Sequence, residues 1–189
     1  MNQSLVTYWE NIDRWLQTHA PSSFRSLRSP ATEDAVTKLE DALGVALDQE
    51  VKECFLIHDG AAETPDDEGA AYFLPRNYRL VSAEESRRLH KETNDILQMH
   101  DDQGMVGYWW HPLWLPFAES PSTDLLFVDH RPETYGQVGH FDHEDSASLR
   151  WPDLAAFLAH MVDCISGTSS DRYFQPDITG GQLSWRPVM

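Results

Sequence analysis

The sequence is short of basic residues. Thirty-one Asp and Glu stand against fourteen Lys and Arg, a formal net charge of −17 over 189 residues. Residues 92–145 are more lopsided, with eleven acids and one base, Arg131. A surface of this sign repels nucleic acid and anionic membranes, and it attracts basic partners over a Debye length of ~8 Å. Cysteine is scarce. Cys54 and Cys164 lie far apart, each among apolar neighbours at helical spacing, which predicts reduced core residues and a cytoplasmic protein. No run reaches the ~20 apolar residues needed to cross a bilayer. The start, "MNQSLVTYWENIDRW", has neither a basic segment nor a continuous apolar one, so no signal peptide is predicted. The nucleophile motif G-x-S-x-G, the phosphate-binding P-loop and the dinucleotide motif GxGxxG are all missing.

Apolar residues are present in ordinary amount, 41%, enough for one sizeable core. An amphipathic helix opens the chain, with Leu5, Tyr8, Trp9, Ile12, Trp15 and Leu16 at three- and four-residue steps. The Ser- and Pro-rich "PSSFRSLRSP" reads as a linker. Thr32 caps a second helix, which buries Val36, Leu39 and Leu43 and ends at Gly44. Asp48 caps a third, which buries Val51, Cys54 and Phe55 and stops at "HDG", with Gly60 at positive φ. Residues 61–71, "AAETPDDEGAA", form an acidic loop. Ser82 and Glu85 make a capping box for a fourth helix, with Leu89, Ile96 and Leu97 inside and an end near "DDQG".

The pattern then changes. "YFLP" and "YRLV" are short strand candidates, and "WWHPLWLPF", "DLLFVD" and "QVGHFD" are three more, the last three separated by turn-rich segments. Their connections are too short for crossover helices, which makes these strands antiparallel neighbours. Trp114, Leu125 and Phe127 belong to the core. "WPDLAAFLAHMVDCISG" closes the domain as a helix, with Leu154, Phe157, Leu158, Met161 and Ile165 as its stripe. The tail "TSSDRYFQPDITGGQLSWRPVM" has no clear period. The fold class is therefore α+β: a mostly antiparallel sheet packed by N-terminal helices and a C-terminal helix, over residues 1–167, with residues 168–189 as an extension.

Two constellations suggest chemistry. In "HFDHED" a straight strand would put His140, Asp142 and Glu144 on one face and His143 and Asp145 on the other. Same-face neighbours lie ~7 Å apart, so they converge poorly on a metal. His58 beside Asp59 has no nucleophile to serve, and a helix C-terminus favours His by its dipole. The reading is that no catalytic residue, metal or cofactor is used.

In order, an aromatic helix, "LEDALGVALDQEVKECFLIHDG", "LVSAEE", "HPLWLPFAES", "DLLFVDHRPETYGQV" and a closing helix resemble the SUKH superfamily over residues 5–165. The most telling signals are W-x-P-F at 114–117, an apolar strand ending in Asp129, and G-Q-V at 136–138. Two departures stand out: Asp48 replaces a frequent Pro, and the turn "ESPSTD" lacks the usual Gly, which predicts a differently shaped hairpin. The resemblance implies protein binding without catalysis. It points to an immunity protein that neutralises a cognate polymorphic toxin or, alternatively, to a regulatory or scaffold protein akin to the yeast regulators of cell-wall assembly and glucan synthesis. A metal-dependent enzyme built on His140 and His143 is the third reading. The expected partner-binding residues are Asp66, Asp67 and Glu68 in the acidic loop, Asp142, Glu144 and Asp145 at the strand end, and whichever of Trp109 and Trp110 is exposed. The partner itself would be a basic protein domain.

Overall fold

Each of the first four helices starts where the local chemistry requires. In the computed structural model, which describes residues 4–63, 65–99 and 103–188, α1 (Leu5–His19) turns Leu5, Trp9, Ile12 and Leu16 inward. Part of the expected linker is instead a short helix, α2 (Pro21–Ser26), because Pro21 suits a first helical turn. The Thr32 side chain accepts from Ala35 N–H at 3.1 Å and caps α3 (Glu33–Leu43). Asp48 accepts from Glu50 N–H at 2.9 Å and caps α4 (Gln49–Ile57). Gly60, at φ 82, leaves no room for a side chain: a Cβ there would lie 2.5 Å from the Ser82 nitrogen.

The capping box forms as predicted. Ser82 Oγ accepts from Glu85 N–H, and Glu85 Oε2 accepts from Ser82 N–H at 2.8 Å, which starts α5 (Ala83–Met99). The helix end expected near 101–104 lies partly outside the described residues. Before α5, the expected "YFLP" strand contributes only an isolated bridge between Leu74 and Tyr78, and "YRLV" yields the two-residue β1 (Arg79–Leu80).

The late segments are β2 (Trp114–Glu119), β3 (Leu125–Asp129) and β4 (Val138–Phe141), consecutive and antiparallel. With β1 and a strand the sequence pattern did not reveal, β5 (Ala147–Trp151), they form a five-stranded sheet in chain order. β5 is an edge strand whose residues are half-buried or exposed, so it has no apolar run to read. Pro116 sits at a bulge in β2, where the register shifts before Ala118. The turn into β3 lacks Gly yet keeps a left-handed residue, Thr123 at φ 70.

The sheet is covered on both faces, so all five residues of β3 are buried. One face carries Leu115, Phe117, Leu126, Val128 and Val138. It packs on α1, α3, α4 and the closing helix α6 (Leu154–Ile165). The other carries Trp114, Leu125, Phe127 and Phe141 under Leu89 and Leu97 of α5 and under Trp110. Trp114 and Phe127 stack at 4.3 Å. Between the strands, Gly139 is required by contact: a Cβ there would meet the Phe127 ring at 2.2 Å.

The tail differs from expectation. It folds into a hairpin, β6 (Phe174–Thr179) and β7 (Gln182–Pro187), whose Leu183 and Trp185 join the main core. The Trp185 indole donates to the Phe73 carbonyl at 2.8 Å, and the Asn77 side chain holds both backbone polar groups of Trp185. No helix among the described residues is long and apolar enough to cross a membrane.

Candidate interaction surface

The strand end "HFDHED" is a tight turn between β4 and β5. Asp142 Oδ1 accepts from Glu144 N–H at 3.0 Å, and Asp142 N–H donates to Ser146 O. Glu144 and Asp145 are exposed and Asp142 is half-buried. The bend brings together a set other than the same-face residues His140, Asp142 and Glu144. It sets Asp142 and His143 beside Asp124 of the β2–β3 turn, with one ligating atom from each within 4.8 Å of the others. Within this group His143 Nδ1 lies 2.8 Å from Asp124 Oδ1, and that hydrogen bond raises the imidazole above its ordinary pKa. A cation would compete with this bond for the Asp124 carboxylate. His140 takes no part. It lies edge-on to Tyr78 at 6.1 Å, outside the group that Asp124, Asp142 and His143 form.

The tryptophan pair divides clearly. Trp110 is wholly buried, in edge contact with Trp114, Phe127 and Phe141, and its indole donates to Asn94 at 3.1 Å. As a contact residue for a partner Trp110 is therefore corrected: it is core. Trp109 is half-buried, lies edge-on to Phe141 at 4.9 Å, and donates from its indole to the His143 carbonyl at 3.2 Å. The structure thus joins Trp109 to the 142–145 turn.

Beside them runs a groove of about 460 Å³ between α5 and the sheet. Leu89, Ile96, Trp109, Leu125 and Phe141 supply its apolar lining. Ile96, expected inside, is 40% exposed: it lies on the same side of α5 as Leu89, but no described residue covers the groove there. Sequence reasoning also missed Met99, Val106 and Tyr108, which are 74%, 49% and 57% exposed. The acids on the rim are not equivalent. Glu92 pairs with Arg88 at 2.7 Å and Glu119 with Arg79 at 2.9 Å, while Asp145, in the turn that begins at the lining residue His143, has no cation beside it among the described residues.

The loop at 66–68 belongs elsewhere. Asp66 and Glu68 are exposed, but Asp67 is bound by Arg25 of α2 at 2.9 Å. Hydrogen bonds from Ser22 and Arg25 hold its carboxyl below the usual range. Asp67 therefore anchors its loop to α2, a packing role the sequence did not suggest. His58 and Asp59 are also structural: His58 Nε2 lies 3.1 Å from Asp13, and Asp59 accepts from Ala83 N–H at the start of α5. Burial pushes the Cys54 thiol up to about 12, far from a reactive thiolate.

The motif residues are structural as well. Asp129 is fully buried and accepts from Arg131 and from the Thr134 hydroxyl. Its backbone pairs with Gly136 and Gln137, which closes the corner between β3 and β4. Burial opposes its charge, but the bonds from Arg131 and Thr134 prevail and hold its pKa low. Next to it, His130 Nε2 accepts from Asp48 N–H at 3.0 Å and Nδ1 donates to the Val128 carbonyl, an arrangement that needs a neutral ring.

Two fungal proteins are similar to this chain in sequence. A protein of Yarrowia lipolytica, "KNR4/SMI1 homolog", is 39% identical over 218 aligned residues, covering 85% of this chain and 31% of that protein. "Cell wall assembly regulator SMI1" of Saccharomyces cerevisiae is 38% identical over 52 residues, covering 28% of this chain and 10% of that protein. The chain thus spans about a third of the first and a tenth of the second. The SMI1/KNR4 family pattern (SUKH-1) matches residues 30–160, from α3 through the sheet into α6, and the chain belongs to that family.

Proposed function

We propose that the chain is a non-catalytic protein-binding module of the regulatory kind, related in role to cell-wall assembly regulators. One fungal relative is named a cell wall assembly regulator and the other a homolog of it, which favours this reading over immunity. The observation that carries the binding site is the groove beside Trp109, uncovered among the described residues, where apolar side chains adjoin the acidic turn of Glu144 and Asp145. Apolar contact there would supply affinity, and the acids would steer a basic partner into place. The partner is then a protein segment with apolar side chains and neighbouring Lys or Arg.

Affinity purification from the native cell tests the site. Wild-type chain should retain a partner that Trp109→Ala combined with Glu144→Lys releases while keeping a folded circular-dichroism spectrum, although loss of the Trp109–Phe141 contact lowers its melting temperature. A partner retained equally by both refutes the proposed surface. The net charge of −17 also suits an immunity protein covering a basic toxin cleft. Restored growth of cells that express a toxin encoded beside this gene would select that second reading.

A further inference from the structure

Among the described residues, nine of the fourteen Lys and Arg side chains pair with carboxylates. Three of the remaining five, Arg76, Arg150 and Arg172, border one cavity of about 210 Å³ on the far side of His140. Such clustering is unexpected in a chain with so few cations. Tyr78, Leu126, Trp151 and Phe157 supply apolar walls. One carboxylate, Asp171, also lines the cavity, but it is engaged: it accepts from the backbone N–H groups of Tyr173 and Phe174 and from His160.

Two of the three arginines, Arg76 and Arg172, are held in place. Arg76 lies in the tight turn between Leu74 and Tyr78 at φ 66, followed by Asn77 at φ 60. Consecutive left-handed residues without glycine are costly and persist where the surroundings enforce them. Here Asn77 clamps the Trp185 backbone. The Arg76 guanidinium lies over the Phe174 ring at 5.3 Å, and that of Arg172 over the Tyr173 ring at 5.3 Å. Stacking occupies a guanidinium's flat face and leaves its N–H edge free for an anion. The proximity of Arg76 and Arg150 also lowers the pKa of His140, after burial the main cause. Arg172 and Tyr173 lie beyond the family match, so this chain's own tail completes the cavity.

We propose that this cavity binds a phosphate monoester carried on a flat apolar group. Three guanidinium forks around one mouth suit a dianion with three terminal oxygens, and a carboxylate would use fewer of them. The aromatic walls would take the apolar body. The overall negative charge is no obstacle, because screening over ~8 Å leaves the local cations in control. The neighbouring hollow shares Arg76, Tyr78 and His140 but adds Asp124 and Asp142, which directs an anion to the α6 side.

Titration of the full chain with phenyl phosphate, inorganic phosphate and benzoate, followed by calorimetry and amide chemical shifts, tests the proposal. Phenyl phosphate should bind saturably, in the millimolar range or tighter. Inorganic phosphate and benzoate should each bind more weakly. Arg150→Gln and Arg172→Gln, both at exposed positions, should each weaken phenyl phosphate by roughly tenfold, as the loss of a charge-assisted hydrogen bond implies, with an unchanged melting temperature. Adenosine monophosphate and N-acetyl phosphotyrosine amide then distinguish the source. Tighter binding of the first indicates a metabolite, and of the second a modified protein side chain. No saturable binding of phenyl phosphate, binding indifferent to both arginines, or equal affinity for benzoate would overturn the proposal.

Discussion

Trp185→Ala probes how firmly the tail is built into the fold. The side chain is 2% exposed, in the main core, and its indole donates to the Phe73 carbonyl. A buried Trp removes roughly 150–250 Å² from water, worth about 4–6 kcal/mol at ~25 cal/mol per Å². That is an upper figure, because the unfolded chain already hides part of its surface. Measured truncations of large aromatics cost about 3–5 kcal/mol, and the lost hydrogen bond adds about 1 kcal/mol at most when its partner can reach water. A loss of about 4 kcal/mol follows. With a urea slope of ~2 kcal/mol per M, the unfolding midpoint should fall by about 2 M. Val188→Ala, at an exposed position, should change stability by less than ~0.5 kcal/mol. If Trp185→Ala costs under ~1 kcal/mol, the hairpin is an appendage and its place in the core is wrong.

The Trp114 indole nitrogen is buried without a partner, so Trp114→Ala should cost ~3–5 kcal/mol while Trp114→Phe costs far less, by urea unfolding. Thr123→Gly should stabilise by about 1 kcal/mol in thermal melts, because a β-branched residue at φ 70 is strained and glycine is not. A loss of stability would show that the threonine side chain contributes more than its backbone costs. Asp129 has a depressed folded pKa, so its contribution is present above ~4, the unfolded value, and is lost as pH falls through the folded one. His130 is also depressed, by burial first, so its contribution is complete above ~6.5 and declines as pH drops through its folded value. Stability should therefore fall on acidification in two stages. Asp129→Asn should cost ~3–5 kcal/mol at neutral pH by stranding Arg131, and should flatten the lower stage.

Helix boundaries were legible wherever a side chain caps them: Thr32, Asp48 and the Ser82–Glu85 pair each act as read. The central strands were legible because both of their faces are buried. β5 was not, since an edge strand with half-exposed residues carries no apolar run. The tail hairpin escaped notice because only Leu183 and Trp185 are buried, two residues in a polar stretch. The candidate surface was half visible. Charge marked the 142–145 turn, but pairing that reaches across the fold, such as Arg25 with Asp67, cannot be read from one segment. Nor could adjacency decide between Trp109 and Trp110: one residue of backbone direction separates a core side chain from a surface one.

The central claim is that Trp109, its groove and the Glu144–Asp145 turn receive a basic partner. The most direct measurement is the association rate of the captured partner at low and high salt. Wild type should be compared with Glu144→Gln plus Asp145→Asn, and with Asp66→Asn plus Glu68→Gln. Rim charges act mainly on association and its salt dependence. The turn variant should associate more slowly with a shallower salt slope, and the loop variant should match wild type. Equal rates and slopes for the turn variant and wild type, or a loss confined to the loop variant, would contradict the account.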